Sequence, residues 1–549
     1  MPFEIDSIVP TPPTSPEAAV KQSLPTASEP IARVRLWRLL LAALLVVMAW
    51  DWLIYQSSNG RAAWGAFLLV VQGALLLGCC RGRYKGSEKV LLLLIGLASA
   101  VVCWRSFWQW NDGLWLSALA LAAAFSLTVQ HVFPWIEQLF LFLIGAPFRS
   151  SEPIGRAVNA IRVVDRRYFG SRWAEWIVPI AIGSVFIWIF LQANPDTLKL
   201  SLEWLSTLSD RWAGWLGSHF FAQLLGWIVV GVLILGWIVP PTLRFNFEEH
   251  SKATYQSAVD KPAFPQADSH FRMAENTLVA LCFLFVIYLI SELNHFWFRE
   301  IPDGFPYSAY AHRGAAWLTF ALAVATVVLS VIFQPEMQSH PKNSRLRGWA
   351  WCWSFLNLLL ALSVYNRMWI YVEFNGMTRM RILAYFGITC VLIGFLLVVA
   401  KIIQNKSFGW LIQRQLMTLM IFWIAHSCTP QDWIAYTWNR QSILQGDLKP
   451  SVQITVHTLS SDGFTSIVPL VDCENEIIRE GVRAMLAQRF LASSSIETTE
   501  GDWRNWRLSE DHMRSSLQKV QAKMQPYLSD PTERNNAIEK FRSFAYRWY

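Results

Sequence analysis

The sequence predicts an all-α protein, a polytopic transmembrane helical bundle of about eleven spans with a small C-terminal helical extramembrane region. The first observation is composition, since 54% of the 549 residues are hydrophobic and 16% are charged, whereas soluble domains carry about 25% charged residues. The second is that apolar residues form runs close to the roughly 20 residues that a helix needs to cross a bilayer. The third is the set of 30 Trp, many of which end these runs, where the headgroup zone favours amphipathic rings.

Residues 1–35 are predicted to form a disordered cytoplasmic tail. The first 32 or so are rich in Pro, Ser, Thr and Glu, with seven prolines from Pro2 to Pro30. Such a segment buries too little apolar area to offset the entropy of ordering it. Arg33, Arg35 and Arg38 then flank the start of the first span.

Apolar runs divide the next part of the chain into an N-terminal transmembrane region, 36–272, and a C-terminal transmembrane region, 273–428. The eleven predicted spans are 37–56, 62–80, 88–104, 113–130, 173–193, 219–241, 275–293, 314–334, 348–368, 382–403 and 409–427. The segment 131–147 either continues the fourth span beyond a kink at Pro134 or forms a separate re-entrant or interfacial piece. If it crosses fully, the count becomes twelve and the orientation of everything after it inverts.

The distribution of basic residues among the loops favours eleven spans over twelve, because the cytoplasmic loops of membrane proteins retain Lys and Arg. Loop 148–172 holds six Arg, and 81–87, 242–274 and 335–347 are also basic, whereas 194–218 has more acidic than basic residues. Eleven spans with the N-terminus inside put every one of the basic loops in the cytoplasm. We therefore expect a multi-pass protein of the inner (plasma) membrane, with its N-terminus cytoplasmic and its C-terminal region outside. The net charge of +8 then reflects these loops, and the expected partner is the lipid bilayer rather than a nucleic acid.

The Arg-rich loop 148–172 has a second reading. Ile154, Val158, Ile161 and Val164 recur at helical spacing, with Arg on the other faces. This pattern predicts an amphipathic helix on the inner leaflet, attracted by anionic lipid. The alternative is a determinant of topology with no other role.

A short polar hinge, Asn366 to Ile382, lies between two long apolar runs. Hydrocarbon would not tolerate its charge density unpaired. Gly376 suits a turn that needs positive φ, where a Cβ would cost energy. We expect Arg367 and Arg381 to point into one wet recess, where a guanidinium can form bidentate bonds to an anion. The other groups expected there are the hydroxyls of Tyr371 and Thr378 and the counter-charge of Glu373.

Three stretches carry a family resemblance. The hinge has Arg367, Tyr371, Gly376, Met377, Thr378 and Arg381. The stretch PDGFPYSAYAHRGAAWL has Tyr307, Tyr310, Arg313 and Gly314. PQDWIAYTWNR followed by TLSSDGFTSIVPLV has Asp432, Asn439, Ser461, Asp462 and Pro469. In this order they resemble the DUF4153/DUF4173 group of bacterial integral membrane proteins of unknown function, over roughly Leu278 to Asp472. The resemblance implies membrane integration and brings no chemistry with it.

The predicted topology places all three stretches on the outer side, where their Arg residues oppose the positive-inside trend. A partner should fix such an Arg, either an acid such as Glu373 or Asp432 or an anionic ligand. The two interpretations are salt bridges that tie helices together and a polar pocket for an anionic lipid headgroup or another envelope component. The candidate ligand-binding residues are Tyr307, Tyr310, Arg313, Arg367, Tyr371, Glu373, Thr378, Arg381, Asp432 and Asn439.

No Gly-rich phosphate loop, nucleophile elbow, HExxH motif or zinc-type Cys/His spacing occurs in the sequence. We therefore predict no catalytic residue, no metal site and no cofactor, and favour a non-enzymatic envelope sensor or assembly scaffold. A transporter or flippase is one alternative. A lipid-linked transferase is another, and would use an acid or His of an outer loop, such as His312, Glu373 or Asp432.

Residues 429–549 are predicted to form a helical extramembrane domain on the outer surface, available to a protein partner. Helical spacing or composition predicts helices in Trp433–Leu444, Glu474–Leu491, Gln518–Tyr527 and Asn535–Trp548. Cys428 and Cys473 would both face an oxidising compartment, so they form either a disulfide or two free thiols.

Overall fold

A computed structural model describes most of the chain. Its described residues are 33–56, 63–79, 84–151, 153–154, 206, 218–239, 241, 267–292, 307–333, 342–404, 406–495 and 507–548. Every regular element within these ranges is a helix, which confirms the predicted all-α class. The first 32 residues of the predicted tail, most of the Arg-rich loop 148–172 and the predicted span 173–193 lie outside the described residues.

Six helices build the N-terminal part of the bundle as far as the structure describes it. They are α1 Arg33–Trp50, α2 Ala63–Cys79, α3 Gly86–Trp108, α4 Gly113–Val129, α5 Ile136–Arg149 and α6 Ser218–Ile238. A π-helical turn extends α1 as far as Tyr55. All six helices contribute buried side chains or packed neighbours to one core, in which Leu75, Leu114 and Phe142 are fully covered.

Five further helices form the second part of the bundle. They are α7 Ala267–Glu292, α8 Tyr307–Ile332, α9 Asn343–Asn375, α10 Arg379–Gln404 and α11 Phe408–Cys428. They share a core around Trp353, whose side chain is almost completely covered. Because α11 packs against both α10 and α4, it joins this part to the first.

Ten of the eleven predicted spans coincide with a described helix. Six are long and apolar enough to cross a membrane: Trp37–Tyr55, Gly86–Trp108, Phe271–Ser291, Asn343–Asn375, Arg379–Gln404 and Phe408–Cys428. Four shorter apolar helices accompany them, for example Ala63–Gly78 and Gly113–Val129. The described part of the chain therefore has the helices of a membrane protein, and the predicted count of about eleven is not confirmed.

The segment 131–147 contains the separate helix α5. His131 has a φ of 61°, which interrupts the helical conformation between α4 and α5. At one end of α5, Glu137 accepts a hydrogen bond from Gln413, near the start of α11. At the other end, the Nε of Arg149 donates to the carbonyl of Gly236 at 3.1 Å, near the end of α6.

These two contact points lie at the same end of the bundle. The start of α4 adjoins the end of α11, since Asn111 donates to the Ser427 carbonyl at 2.7 Å. The end of α4 adjoins the end of α6, since Ser126 donates to the Trp237 carbonyl at 2.7 Å. The start of α11 and the end of α6 therefore share one end, so α5 begins and finishes there. This geometry favours a re-entrant or interfacial piece over a twelfth crossing.

The residues after Cys428 form a second body of short helices, hereafter the C-terminal unit. Its helices are α12 Gln431–Leu444, α13 Ser451–Val456, α14 Ser461–Ile467, α15 Glu476–Ser495, α16 Leu508–Lys519, α17 Gln521–Ser529 and α18 Pro531–Ala545. None of these helices is a candidate membrane span. They enclose their own core, in which Ile478, Met513 and Phe541 are fully buried. Cys428 and Cys473 are free thiols.

Glu480 ties α15 to α17 inside the C-terminal unit. The Tyr527 hydroxyl donates to its carboxylate at 2.9 Å, and Arg479 and Arg483 each donate at 3.0 Å. Burial alone would raise the pKa of Glu480, but the hydrogen bonds from Arg479 and Tyr527 outweigh it, so the pKa lies below its ordinary value. Burial, and then the hydrogen bond to Glu480 and the negative charge of that carboxylate, raise the pKa of Tyr527 to about 12.

Candidate functional site

The predicted hinge is mostly helical. Helix α9 runs on to Asn375 and α10 begins at Arg379, so the chain turns only between these two residues. Gly376 has a φ of 81°, which confirms the predicted positive φ. A Cβ there would lie 2.7 Å from the Oδ1 of Asn439 and 2.9 Å from the Cβ of Pro450. Glycine is therefore required by both the backbone and the neighbouring C-terminal unit.

Two side chains of the C-terminal unit hold the backbone of this turn. The Met377 N–H donates to Asn439 Oδ1 at 2.6 Å, and Asn439 Nδ2 donates back to the Met377 carbonyl at 2.8 Å. Gln453 donates to the Asn375 carbonyl at 2.7 Å. Asn439 is fully buried. These bonds satisfy polar groups that the end of α9 would otherwise leave unpaired.

Arg379 and Asp432 form a bidentate ion pair across the same junction. The guanidinium donates through Nε to Oδ1 and through Nη2 to Oδ2, the latter at 2.5 Å. Nη2 also donates to the Thr458 carbonyl at 3.2 Å, and the Ser460 N–H donates to Asp432 at 3.2 Å. The Asp432 side chain is 5% exposed and that of Arg379 48%. The acid fixes an Arg of the hinge, as one of the two interpretations predicted, but the Arg is Arg379, which the candidate set omits.

A second buried acid connects the C-terminal unit to the N-terminal part of the bundle. Asp462 on α14 accepts a hydrogen bond from the Trp108 indole at 2.8 Å and lies 3.6 Å from Arg105 Nη1. Burial raises the pKa of Asp462, and the charge of Asp432 raises it further, against lowering contributions from Trp108 and Arg105. Asp432 and Asp462 thus attach the start of α10 and the end of α3 to the C-terminal unit.

The Arg381 side chain packs against the turn between α9 and α10. Its Nη1 donates to the Gly376 carbonyl, and its guanidinium carbon lies 3.9 Å from the centroid of the Tyr371 ring, a cation–π contact. The Thr378 hydroxyl accepts from the Arg381 backbone N–H at 3.3 Å. Arg381 is 6% exposed, and no described carboxylate lies within ion-pair distance of it.

A recess of about 630 Å³ opens beside Arg381, between α8, α9, α10 and the C-terminal unit. Its polar lining includes Tyr371, Asn375, Thr378, Arg381, Gln453 and His457. Its apolar lining includes Met368, Leu383, Ala384 and Ile388. Burial lowers the pKa of His457, and the positive charges of Arg379 and Arg381 lower it further. The polar end of the recess is therefore an electropositive place with several hydrogen-bonding groups.

The structure corrects the predicted arrangement of the hinge charges. Arg367 does not share the recess with Arg381, because its Nη2 donates to the Tyr288 hydroxyl of α7 at 3.0 Å and the side chain is buried there. Glu373 is exposed and is not among the residues that line the recess. Tyr371, Thr378 and Arg381 do lie together. Their role in ligand binding stays a prediction.

The remaining candidates lie elsewhere. Asp432 and Asn439 serve the junction of hinge and C-terminal unit, as described above. Tyr307, Tyr310 and Arg313 belong to the first turns of α8, and their side chains lie outside the described part of the structure. The sequence did not single out Gln453 and His457, because they lie between the two parts of the third family-like stretch, where the residues form no recognisable pattern.

Comparison with known families gives one match, to "Domain of unknown function (DUF4153)", over residues 73–470. The match begins well before Leu278, so it includes much of the N-terminal part of the bundle, where the resemblance was not recognised. It ends after the third motif and covers α3 to α14. The DUF4173 part of the resemblance stays a prediction. No curated protein and no solved structure matches the chain. The chain belongs to the family defined by this domain of unknown function, DUF4153.

Proposed function

We propose that this chain is a non-enzymatic sensor or assembly scaffold of the bacterial envelope, embedded in the inner (plasma) membrane with a cytoplasmic N-terminus. Its polar recess binds an anionic ligand on the outer side, and its C-terminal unit responds to that ligand and is the surface offered to a protein partner. The observation that supports the proposal best is the position of the recess at the junction of the apolar helices and the C-terminal unit.

The walls of the recess belong to both bodies. Tyr371, Thr378 and Arg381 come from the bundle and its α9–α10 turn, whereas Gln453 and His457 come from the C-terminal unit. A ligand between them contacts both bodies at once. Its differential affinity for two arrangements of these walls would shift their equilibrium, which is the physical requirement of a sensor.

The hydrogen bonds that α12 forms with the turn and with the start of α10, hereafter the interlock, transmit such a shift. Asn439 forms two hydrogen bonds with the Met377 backbone, and Asp432 accepts two more from Arg379. Any movement of the turn must therefore move α12 or break these bonds. A transporter would need polar groups along a path through the bundle, and buried groups such as Glu137, Asn357 and Lys401 do lie away from the junction. The transporter is therefore kept as an alternative, which the proteoliposome experiment below tests.

The test is complementation of a deletion strain, with membrane insertion checked for each variant. We expect Asn439→Ala to lose function, because it releases the Met377 backbone. Gln441→Ala is the matched control, since Gln441 is exposed on the same helix, and we expect it to complement fully. Full complementation by Asn439→Ala would contradict the proposed coupling.

Purified protein in proteoliposomes separates the remaining functions. We expect no turnover of lipid-linked substrates and no solute uptake. Turnover that depends on Asp432 would establish the transferase instead. Uptake that persists in Asn439→Ala would establish a transporter that does not depend on the interlock.

A further inference from the structure

We infer that the ligand of the recess is an amphiphile with an anionic, phosphate-bearing headgroup and an apolar tail, which enters sideways from the outer leaflet of the bilayer. This inference rests on the proposed function of the recess as a ligand site, and it names the ligand class. The residues that line the two ends of the recess carry the argument.

The polar end has the charge of an anion site. Arg381 supplies a positive charge there, His457 lines it as a neutral hydrogen-bonding ring, and no Asp or Glu is among its lining residues. Arg381 uses one nitrogen for the Gly376 carbonyl, and a guanidinium has five N–H donors in all. Donors therefore remain for a phosphate oxygen, which charged hydrogen bonds would hold in this partly desolvated place. The hydroxyl of Thr378 and the amide of Gln453 add neutral donors.

The apolar end has the shape of a tail site. Leu383, Ala384, Gly387 and Ile388 follow one another along α10 and line it. At Gly387, a Cβ would find no atom within 4 Å, so this wall is open space rather than packed core. A soluble anion would gain nothing from this surface, whereas the tail of a lipid can lie against it without leaving the apolar environment of the bilayer.

The mouth of the recess lies where a lipid would reach it. Met380 and Leu383, in the first two turns of α10, are 71% and 44% exposed. Both are apolar residues in a candidate membrane span, so their exposed faces meet the bilayer rather than water. The recess therefore opens toward lipid at the level of the headgroups, with Arg381 immediately behind the mouth.

The experiment measures binding to the purified full chain by native mass spectrometry and by titration in nanodiscs. The probes are phosphatidylglycerol in a phosphatidylcholine bilayer, a bilayer of phosphatidylcholine alone, and inorganic phosphate. We expect saturable binding of phosphatidylglycerol at one site and no measurable binding of inorganic phosphate. Arg381→Gln should weaken phosphatidylglycerol binding roughly tenfold, the effect of losing one charged hydrogen bond.

Arg381→Gln also removes the bond to Gly376, so a second variant is needed. Gly387→Leu adds a bulky side chain to the apolar wall, away from the headgroup end, and should abolish saturable binding of phosphatidylglycerol. Gly96→Leu is the matched control, because a Cβ at Gly96 on α3 likewise meets no atom within 4 Å. It should bind as the natural chain does.

The outcomes separate the possible failures. Binding of inorganic phosphate as tight as that of phosphatidylglycerol, and unchanged in Gly387→Leu, would show a free-anion site and overturn the amphiphile. Lipid binding that is unchanged in both Arg381→Gln and Gly387→Leu would show only annular lipid and also overturn it. Loss of lipid binding in Gly387→Leu with full complementation of the deletion strain would uphold the lipid site and overturn the proposed function.

Discussion

We expect the removal of either partner of the Arg379–Asp432 pair to destabilise the protein, but by different amounts. The two side chains share a bidentate contact, but Asp432 is 5% exposed and Arg379 is 48% exposed. If Asp432 is neutralised, Arg379 can turn toward water. If Arg379 is removed, Asp432 is left as a buried charge with one remaining backbone donor, that of Ser460. We therefore expect Arg379→Gln to destabilise the junction more than Asp432→Asn does.

The magnitude follows from the burial of each partner. Removing one partner of a fully buried ion pair costs about 3–5 kcal/mol, and an exposed pair contributes about 0–1 kcal/mol. For Arg379→Gln, which strands the buried acid, we expect roughly 3 kcal/mol. For Asp432→Asn, which strands a half-exposed Arg, we expect about 1–2 kcal/mol.

The assay is pulse proteolysis of the C-terminal unit in increasing urea, with the protein held in nanodiscs. The double variant gives the coupling energy of the pair, since neighbouring residues deviate from additivity by the energy of their interaction. We expect the double variant to be no less stable than Arg379→Gln alone. A cost for Asp432→Asn that equals or exceeds that of Arg379→Gln would refute the burial argument, and so would a coupling energy near zero.

Three further predictions follow from the fold. Gly376→Ala should lower the free energy of unfolding by about 2 kcal/mol or more in the same urea assay, because the added Cβ would lie 2.7 Å from Asn439. Gly446→Ala is the control, since Gly446 is also at positive φ but has open space around it. It should cost only the backbone strain of about 1 kcal/mol. Glu480→Gln should destabilise the C-terminal unit at neutral pH by roughly 1 kcal/mol. Because the folded-state pKa of Glu480 lies below its ordinary value of 4.5, its contribution is present above pH 4.5 and is lost as the pH falls through the folded pKa, so the two proteins should converge in urea titrations at acid pH. Reporter fusions at residues 160 and 549 should report the cytoplasm and the outside respectively, and the opposite result at either position would refute the predicted topology.

The sequence predicted the features that depend on local chemistry. Apolar runs predicted ten helices where the structure has them, and Gly376 predicted the sharp turn. It also predicted that Tyr371, Thr378 and Arg381 lie together, because they are close along the chain on either side of that turn.

The position of Arg367 depends on a boundary that the sequence did not reveal. Because α9 remains helical to Asn375, Arg367 lies eight residues before its end, about 12 Å along the axis at 1.5 Å per residue. At that depth the nearest hydroxyl belongs to Tyr288. The polar composition of the stretch indicated a loop, whereas packing against α7 keeps it helical.

Pairs that are distant in the sequence could be predicted only in part: Asp432 was named as a possible partner for an Arg, but Arg379 was not singled out. Arg379 and Asp432 are 53 residues apart, and spacing carries no distance across a turn and two helices. The density of Arg in the hinge did indicate that an acid or anion must be near. It could not indicate which Arg would take the acid and which would face the recess.

The bond between Trp108 and Asp462 has a consequence for biosynthesis. Its two residues are separated by 354 positions, and at about 5–20 residues per second a ribosome needs roughly 20 to 70 s to make the intervening chain. During that time Arg105, at the end of a membrane helix, lacks the acid that it faces in the finished protein. The two parts of the bundle can therefore be inserted in order, but the end of α3 gains its partner only after all of the described membrane helices have been made. A chain truncated before residue 462 should expose an unpaired arginine at the membrane boundary, a feature that membrane quality-control proteases could recognise.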